Sequence, residues 1–177
     1  MRATFLLVPT AAIVVFGGPA YATVYLSIEQ AQAVLFPGAT LSPLSITLTP
    51  EQVKAIERAS GANVLSKTLR AWRVSTGGWF IVDEVVGKHE FIPFAVALDE
   101  RGAVKGVEIL EYREAYGDQI RDPRWRAQFV GAQPGTRLRL EKEIRNISGA
   151  TLSCKHVTDG VNRLLATYDV VLKSAGH

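Results

Sequence analysis

Hydrophobic positions change period along the chain, and the changes divide it into helix, sheet and helix again. After residue 26 the first signal is a capping box, Ser27 to Gln30, followed by Ala31, Val34 and Leu35 on one helical face and a stop at Pro37-Gly38. Thr49-Pro50-Glu51-Gln52 repeats that logic with a proline at the first helical position; Val53 and Ile56 give the apolar stripe and Gly61 ends it. Two short helices are expected here, within an N-terminal helical segment spanning 23–68.

From residue 69 the pattern is that of strands. Residues 69–75 and 79–86 flank Thr76-Gly77-Gly78, and residues 91–98 and 104–112 flank Asp99-Glu100-Arg101-Gly102, so two hairpins are predicted. In the last of these strands Val107, Ile109 and Glu111 alternate with Glu108, Leu110 and Tyr112, which suggests an environment on both sides. Pro93 places its strand at an edge or delays its start. Asp122-Pro123 opens a short helix with Trp125 and Phe129 four apart, closed by Gly131, and residues 136–140 read as a last strand. The longest helix runs from about Thr151 to Lys173, with Val157, Val161, Leu164, Leu165, Tyr168, Val171 and Leu172 as its buried stripe. The expected fold class is α+β: one domain over 69–177, a largely antiparallel sheet with flanking helices and a long C-terminal helix.

Composition narrows the function. Residues 1–22 combine Arg2, an apolar stretch and Ala20-Tyr21-Ala22, the pattern of a secretory signal peptide cleaved after Ala22. An uncleaved anchor is the alternative, although Pro9 and Gly17-Gly18 interrupt the stretch and it falls short of the ~20 residues a bilayer requires. The protein is therefore expected to be periplasmic or otherwise extracytoplasmic. The formal net charge of +3 is small and dispersed, which argues against nucleic acid. Cys154 is the only cysteine, so neither an internal disulfide nor a cysteine-rich metal or c-type haem site is possible. His89, His156 and His177 form no ligand-like pair, and no metal is expected. Hydrolase elbows, phosphate-binding Gly-Lys-Thr loops, dinucleotide fingerprints and zinc-protease helices are missing from the sequence, and no catalytic residue is assigned.

The informative run is Ile147-Ser148-Gly149-Ala150-Thr151-Leu152-Ser153-Cys154. A second stretch precedes it, from Gly87-Lys88-His89 through 91–98, Gly102 and 107–110 to Glu114-Ala115-Tyr116-Gly117. In this order the two resemble the FMN-binding domain found in the G subunit of Rnf electron-transport complexes and the C subunit of the sodium-pumping quinone reductase. The resemblance covers about residues 87–169. It implies that a periplasmic flavin transferase attaches FMN from FAD to Thr151 through a phosphoester, and that the product exchanges electrons with a membrane-bound redox complex or reductase. Ser148, Gly149, Ala150 and Ser153 would then hold the phosphate, and Glu114, Tyr116 and Gly117 would border the ring, with His89 as a further candidate contact. The chain departs from the family at three places: Arg145 stands where an aspartate is usual, Ser153-Cys154 replaces Thr-Ser, and Tyr116 replaces a proline.

The residues fit such chemistry. Small side chains at 148–150 let backbone N–H groups approach a phosphate, and the start of a long helix favours an anion. Pro37-Gly38-Ala39-Thr40-Leu41-Ser42 echoes the string, but Pro43 forbids a long helix after it, and it reads as a loop. Simpler readings stand beside each residue: Thr151 as a helix N-cap, Glu114 as a solvated charge, His89 as a turn histidine, the three tryptophans as core, Cys154 as a small buried apolar group. Two rival functions remain, a module that binds FMN without the ester and a flavin-dependent reductase with its own substrate.

Overall fold

The computed structural model describes residues 23–175; the expected signal peptide lies outside them. A two-residue strand β1 (Thr23–Val24) precedes helix α1 (Ile28–Leu35) and strand β2 (Leu41–Thr47). Helix α2 (Pro50–Ser60) follows, then four strands joined by tight turns: β3 (Thr68–Val74), β4 (Trp79–Val86), β5 (Phe91–Leu98) and β6 (Val104–Ile109). After β7 (Glu111–Tyr112) and a 3-10 turn comes α3 (Pro123–Arg126). The long helix α4 (Thr151–Thr167) continues through a π-helical turn, Tyr168–Leu172, into Lys173–Ala175. No helix among the described residues is long and apolar enough to cross a membrane.

The main sheet has the order β2-β3-β4-β5-β6, every pair antiparallel, so it is a meander with the two most apolar strands near its centre. The α+β class is as the sequence reads. β4 and β5 are apolar on both faces because both faces are covered. Trp79, Ile81, Val85, Phe94, Val96 and Leu98 pack on one side with Cys154, Val157, Val161, Leu164 and Leu165 of α4. Phe80, Val82, Ala95 and Ala97 pack on the other with Ala31 and Phe36. Gly160 brings α4 against Phe94 and Val85, where a Cβ would collide with both.

A buried ion pair fixes α4 to the sheet. The Arg163 guanidinium donates to Asp83 Oδ2 from Nε (3.0 Å) and Nη2 (2.8 Å), and also to the carbonyls of Glu84 (2.8 Å) and Asn63 (2.7 Å). Every nitrogen has a partner, the condition under which a desolvated charge is tolerated.

Three expectations change. Residues 41–47 lie in the segment expected to be helical, and the first two belong to the run read as a loop; they form the edge strand β2, in full register with β3 from Leu41↔Val74 to Thr47↔Thr68. Its outer edge tolerates Pro43. Residues 136–140 make no strand. The Leu138 backbone pairs instead with the Asn162 side chain, N–H to Oδ1 at 2.9 Å and Nδ2 to O at 2.8 Å, so an amide on α4 takes the place of a neighbouring strand. Pro93 sits inside a central strand, just before β5 begins its pairing with β6 at Phe94.

Candidate functional site

The entry to α4 is set by the residues around it. Gly149 has φ 86, the left-handed conformation a Cβ disfavours, and it turns the chain into the helix. The cap position is Ala150, at φ −119 and ψ 17, with no side chain to accept a helical N–H. Cys154 is the first N–H of the helix with a helical acceptor, the Ala150 carbonyl at 2.9 Å. Thr151 is thus the first helical residue, not the cap. Its exposed hydroxyl accepts from Asn146 Nδ2 at 2.9 Å. The N-terminus of a seventeen-residue helix is left without a capping side chain, which concentrates free N–H groups and the positive end of the dipole there.

This N-terminus opens onto a cleft of about 600 Å³. Its walls are the β4–β5 turn, with Lys88 and His89; the loop after β7, with Glu114, Ala115 and Tyr116; and the helix start from Gly149 to Ser153. Of the residues expected from sequence, His89, Glu114, Tyr116, Gly149, Ala150, Thr151 and Ser153 all line this one cleft. Ser148 is exposed outside its lining, and Gly117 packs behind it. Trp72, Trp79 and Trp125 are absent from its walls. Trp79 and Trp125 are buried, and Trp125 Nε1 donates to the Arg145 carbonyl at 2.8 Å. Arg145 is exposed and also outside the lining; its N–H donates to Gln128 Oε1 at 2.8 Å. A smaller cavity of about 200 Å³ lies beside Arg163, whose charge is already satisfied by Asp83.

Glu114 has a more definite task than a contact or a solvated charge. Its Oε1 accepts the backbone N–H groups of His89 (2.5 Å) and Glu90 (3.0 Å), while Gly87 N–H closes the turn on the Glu90 carbonyl (2.7 Å). Partial burial works against ionisation. The N–H groups of His89, Glu90 and Lys88 together outweigh it, and the carboxyl is held below its usual range. The carboxylate therefore joins two walls of the cleft.

Ser153 is buried, and its hydroxyl is 2.8 Å from that of Tyr112. Tyr112 in turn donates to the Tyr116 carbonyl at 2.5 Å, and Gly117, at φ 101, leaves the space where the two hydroxyls sit. Burial pushes the Tyr112 phenol up, so it stays protonated through the neutral range. The backbone of the 114–117 loop is pinned while the Tyr116 ring is 85% exposed at the mouth of the cleft. Asn146 and Tyr112 were not candidates from sequence. Asn146 opens only the formal glycosylation sequon Asn146-Ile147-Ser148, which overlaps the flavin run and says nothing of a contact to Thr151; Tyr112 belongs to no motif, and the Tyr112–Ser153 contact spans the fold.

Residues 87–166 match the family model described as the FMN-binding domain. This segment belongs to that family. The FMN-binding domain thus comprises β5, β6, β7, α3 and nearly all of α4, and it contains every wall of the cleft. The chain is a flavin-binding protein on this ground. No curated protein matches it.

Proposed function

We propose that the protein is an exported flavoprotein that carries FMN as a phosphoester on Thr151 and passes electrons between membrane redox partners. The observation that supports this best is the exposed Thr151 hydroxyl, set at an uncapped helix N-terminus and facing a cleft large enough for a three-ring cofactor. A threonyl phosphodiester keeps a negative charge. The free N–H groups of the first helical turn and the helix dipole offset that charge, and Lys88 on the facing wall adds a cation. Ala115, Tyr116 and Leu152 offer the ring apolar and aromatic surface, and Glu114 keeps the opposing turn in place. When bound, the isoalloxazine supplies one- and two-electron chemistry, and the protein supplies attachment, orientation and electrostatics.

Esterification prevents loss of the cofactor outside the cytoplasm, which is consistent with the signal-like residues 1–22. Maturation then requires a periplasmic flavin transferase, and turnover requires a membrane-bound reductase or redox complex. Arg145, in place of the family's aspartate, favours a second reading in which FMN is held without the ester. The deciding experiment is coexpression with a flavin transferase followed by intact mass. The expected result is one FMN adduct in wild type and none in Thr151→Ala. Flavin that copurifies but leaves an unmodified mass on denaturation supports the second reading, and a flavin-free protein refutes both.

A further inference from the structure

We infer that Asn146 is a positioning residue for the esterification of Thr151, its amide fixing the hydroxyl that receives the flavin phosphoryl group. The inference rests on the reading of Thr151 as the attachment point. Within α4 the other threonines behave differently. Thr158 Oγ1 donates to the Cys154 carbonyl at 2.7 Å and Thr167 Oγ1 to the Arg163 carbonyl at 2.8 Å, the usual return of a helical threonine to the backbone one turn earlier. For Thr151 that carbonyl belongs to Ile147, which already accepts the Ala150 N–H at 3.0 Å. The hydroxyl is held instead by Asn146 Nδ2 at 2.9 Å.

Such donation occupies one lone pair of Oγ1 and restricts its rotamer. It leaves the hydroxyl proton free to depart and the other lone pair free for phosphorus. Asn146 is itself well placed to hold a fixed position. Arg145 before it is tied through both backbone groups, to Trp125 and Gln128, and Ile147 after it closes the turn on Ala150. The amide also carries a cost. Asn146 Oδ1 is buried without a partner, and exchanging the two ends of the amide would only transfer the unpaired state to Nδ2. In either orientation the side chain's hydrogen bond is to the Thr151 hydroxyl, and it is the orientation with Nδ2 donating that leaves the hydroxyl proton free.

In the step served, the Thr151 Oγ1–H bond breaks and Oγ1 bonds to the phosphorus on the flavin side of FAD. The pyrophosphate P–O bond breaks, AMP leaves, and the proton passes to the transferase or to solvent. Nothing is oxidised or reduced.

The test measures the rate of FMN mass addition by a purified flavin transferase with saturating FAD, over a range of apoprotein concentrations. Asn146→Ala and the similarly shaped Asn146→Leu are compared with wild type, with melting temperatures taken alongside. The expected result is a maximal rate lower by roughly tenfold to a hundredfold, as for a misplaced reacting group, with half-saturating concentration and melting temperature unchanged. Rates within twofold of wild type overturn the inference. So does an effect confined to the half-saturating concentration, which marks transferase recognition, or a melting loss in both variants, which marks a structural role. A wild-type chain that gains no mass overturns the Thr151 reading as well, so the two failures are distinct.

Discussion

The hydroxyl of Tyr112 bridges two walls of the cleft, 2.8 Å from Ser153 Oγ on the long helix and 2.5 Å from the Tyr116 carbonyl on the facing loop. A phenol has one proton to give, and the carbonyl can only accept it. The Ser153 hydroxyl must therefore donate to Tyr112, which fixes the direction of both bonds. Tyr112→Phe leaves the Tyr116 carbonyl and the Ser153 hydroxyl without their shared partner. A destabilisation of about 1–3 kcal/mol is expected in denaturant titrations, together with a faster-moving 114–117 loop in NMR relaxation. Unchanged loop dynamics would argue that the bridge does not govern the wall.

Thr151→Ala should leave stability within about 0.5 kcal/mol of wild type, because the side chain is exposed and does not cap the helix. Thr151→Ser should retain partial or full FMN loading, since a primary hydroxyl at the same place remains an acceptor for the phosphoryl group. Intact mass checks the second statement and thermal melts the first. Complete loss of loading in the serine variant would show that the β-methyl is needed to hold the rotamer.

The Glu114 carboxyl is held below its ordinary value in the folded chain, so its contribution is present above the usual carboxylate range and is lost as the pH falls through the lowered value. The amide ¹H and ¹⁵N shifts of His89 and Glu90 should therefore be constant at neutral pH and titrate together only under acid conditions. Glu114→Gln should abolish that shared titration. Separate midpoints for the two amides would contradict a common acceptor.

Arg163→Met strands the Asp83 carboxylate in a half-dry site and removes the tether between α4 and the sheet. Breaking a buried pair from one side costs about 3–5 kcal/mol, and urea titration should report a loss of that order. The double variant that also carries Asp83→Leu should recover part of it, because no uncompensated charge remains.

The parts of the fold visible in sequence are those whose causes are local. The capping boxes at Ser27 and Thr49 mark both early helices, and the side chains bond as the motif requires. Gly77-Gly78 and Gly102 mark the hairpins. β2 was hidden because an edge strand exposed at most of its positions needs few apolar residues, and Ser42, Pro43 and Ser45 resemble a loop until β3 supplies the partner. Residues 136–140 misled for the converse reason, since their strand-like pattern is met by a helix side chain. At the site, the motif run from Gly149 to Ser153 was legible as a helix start. That Glu114 holds a turn, that Tyr112 joins two walls and that Asn146 holds Thr151 all depend on side-chain pairing, which spacing does not encode.

The border of sequence similarity falls at residue 87, one position after β4 ends, yet α4 is bolted to β4 through Asp83 and packs against it at Gly160. A fragment trimmed to that border would keep every wall of the cleft and lose three of the five strands beneath it. It would bare the long apolar flank of β5, an open template for pairing with other chains. Kinship and cooperative unfolding thus draw different boundaries in this molecule, and whoever excises the domain by its ancestry should expect an aggregate.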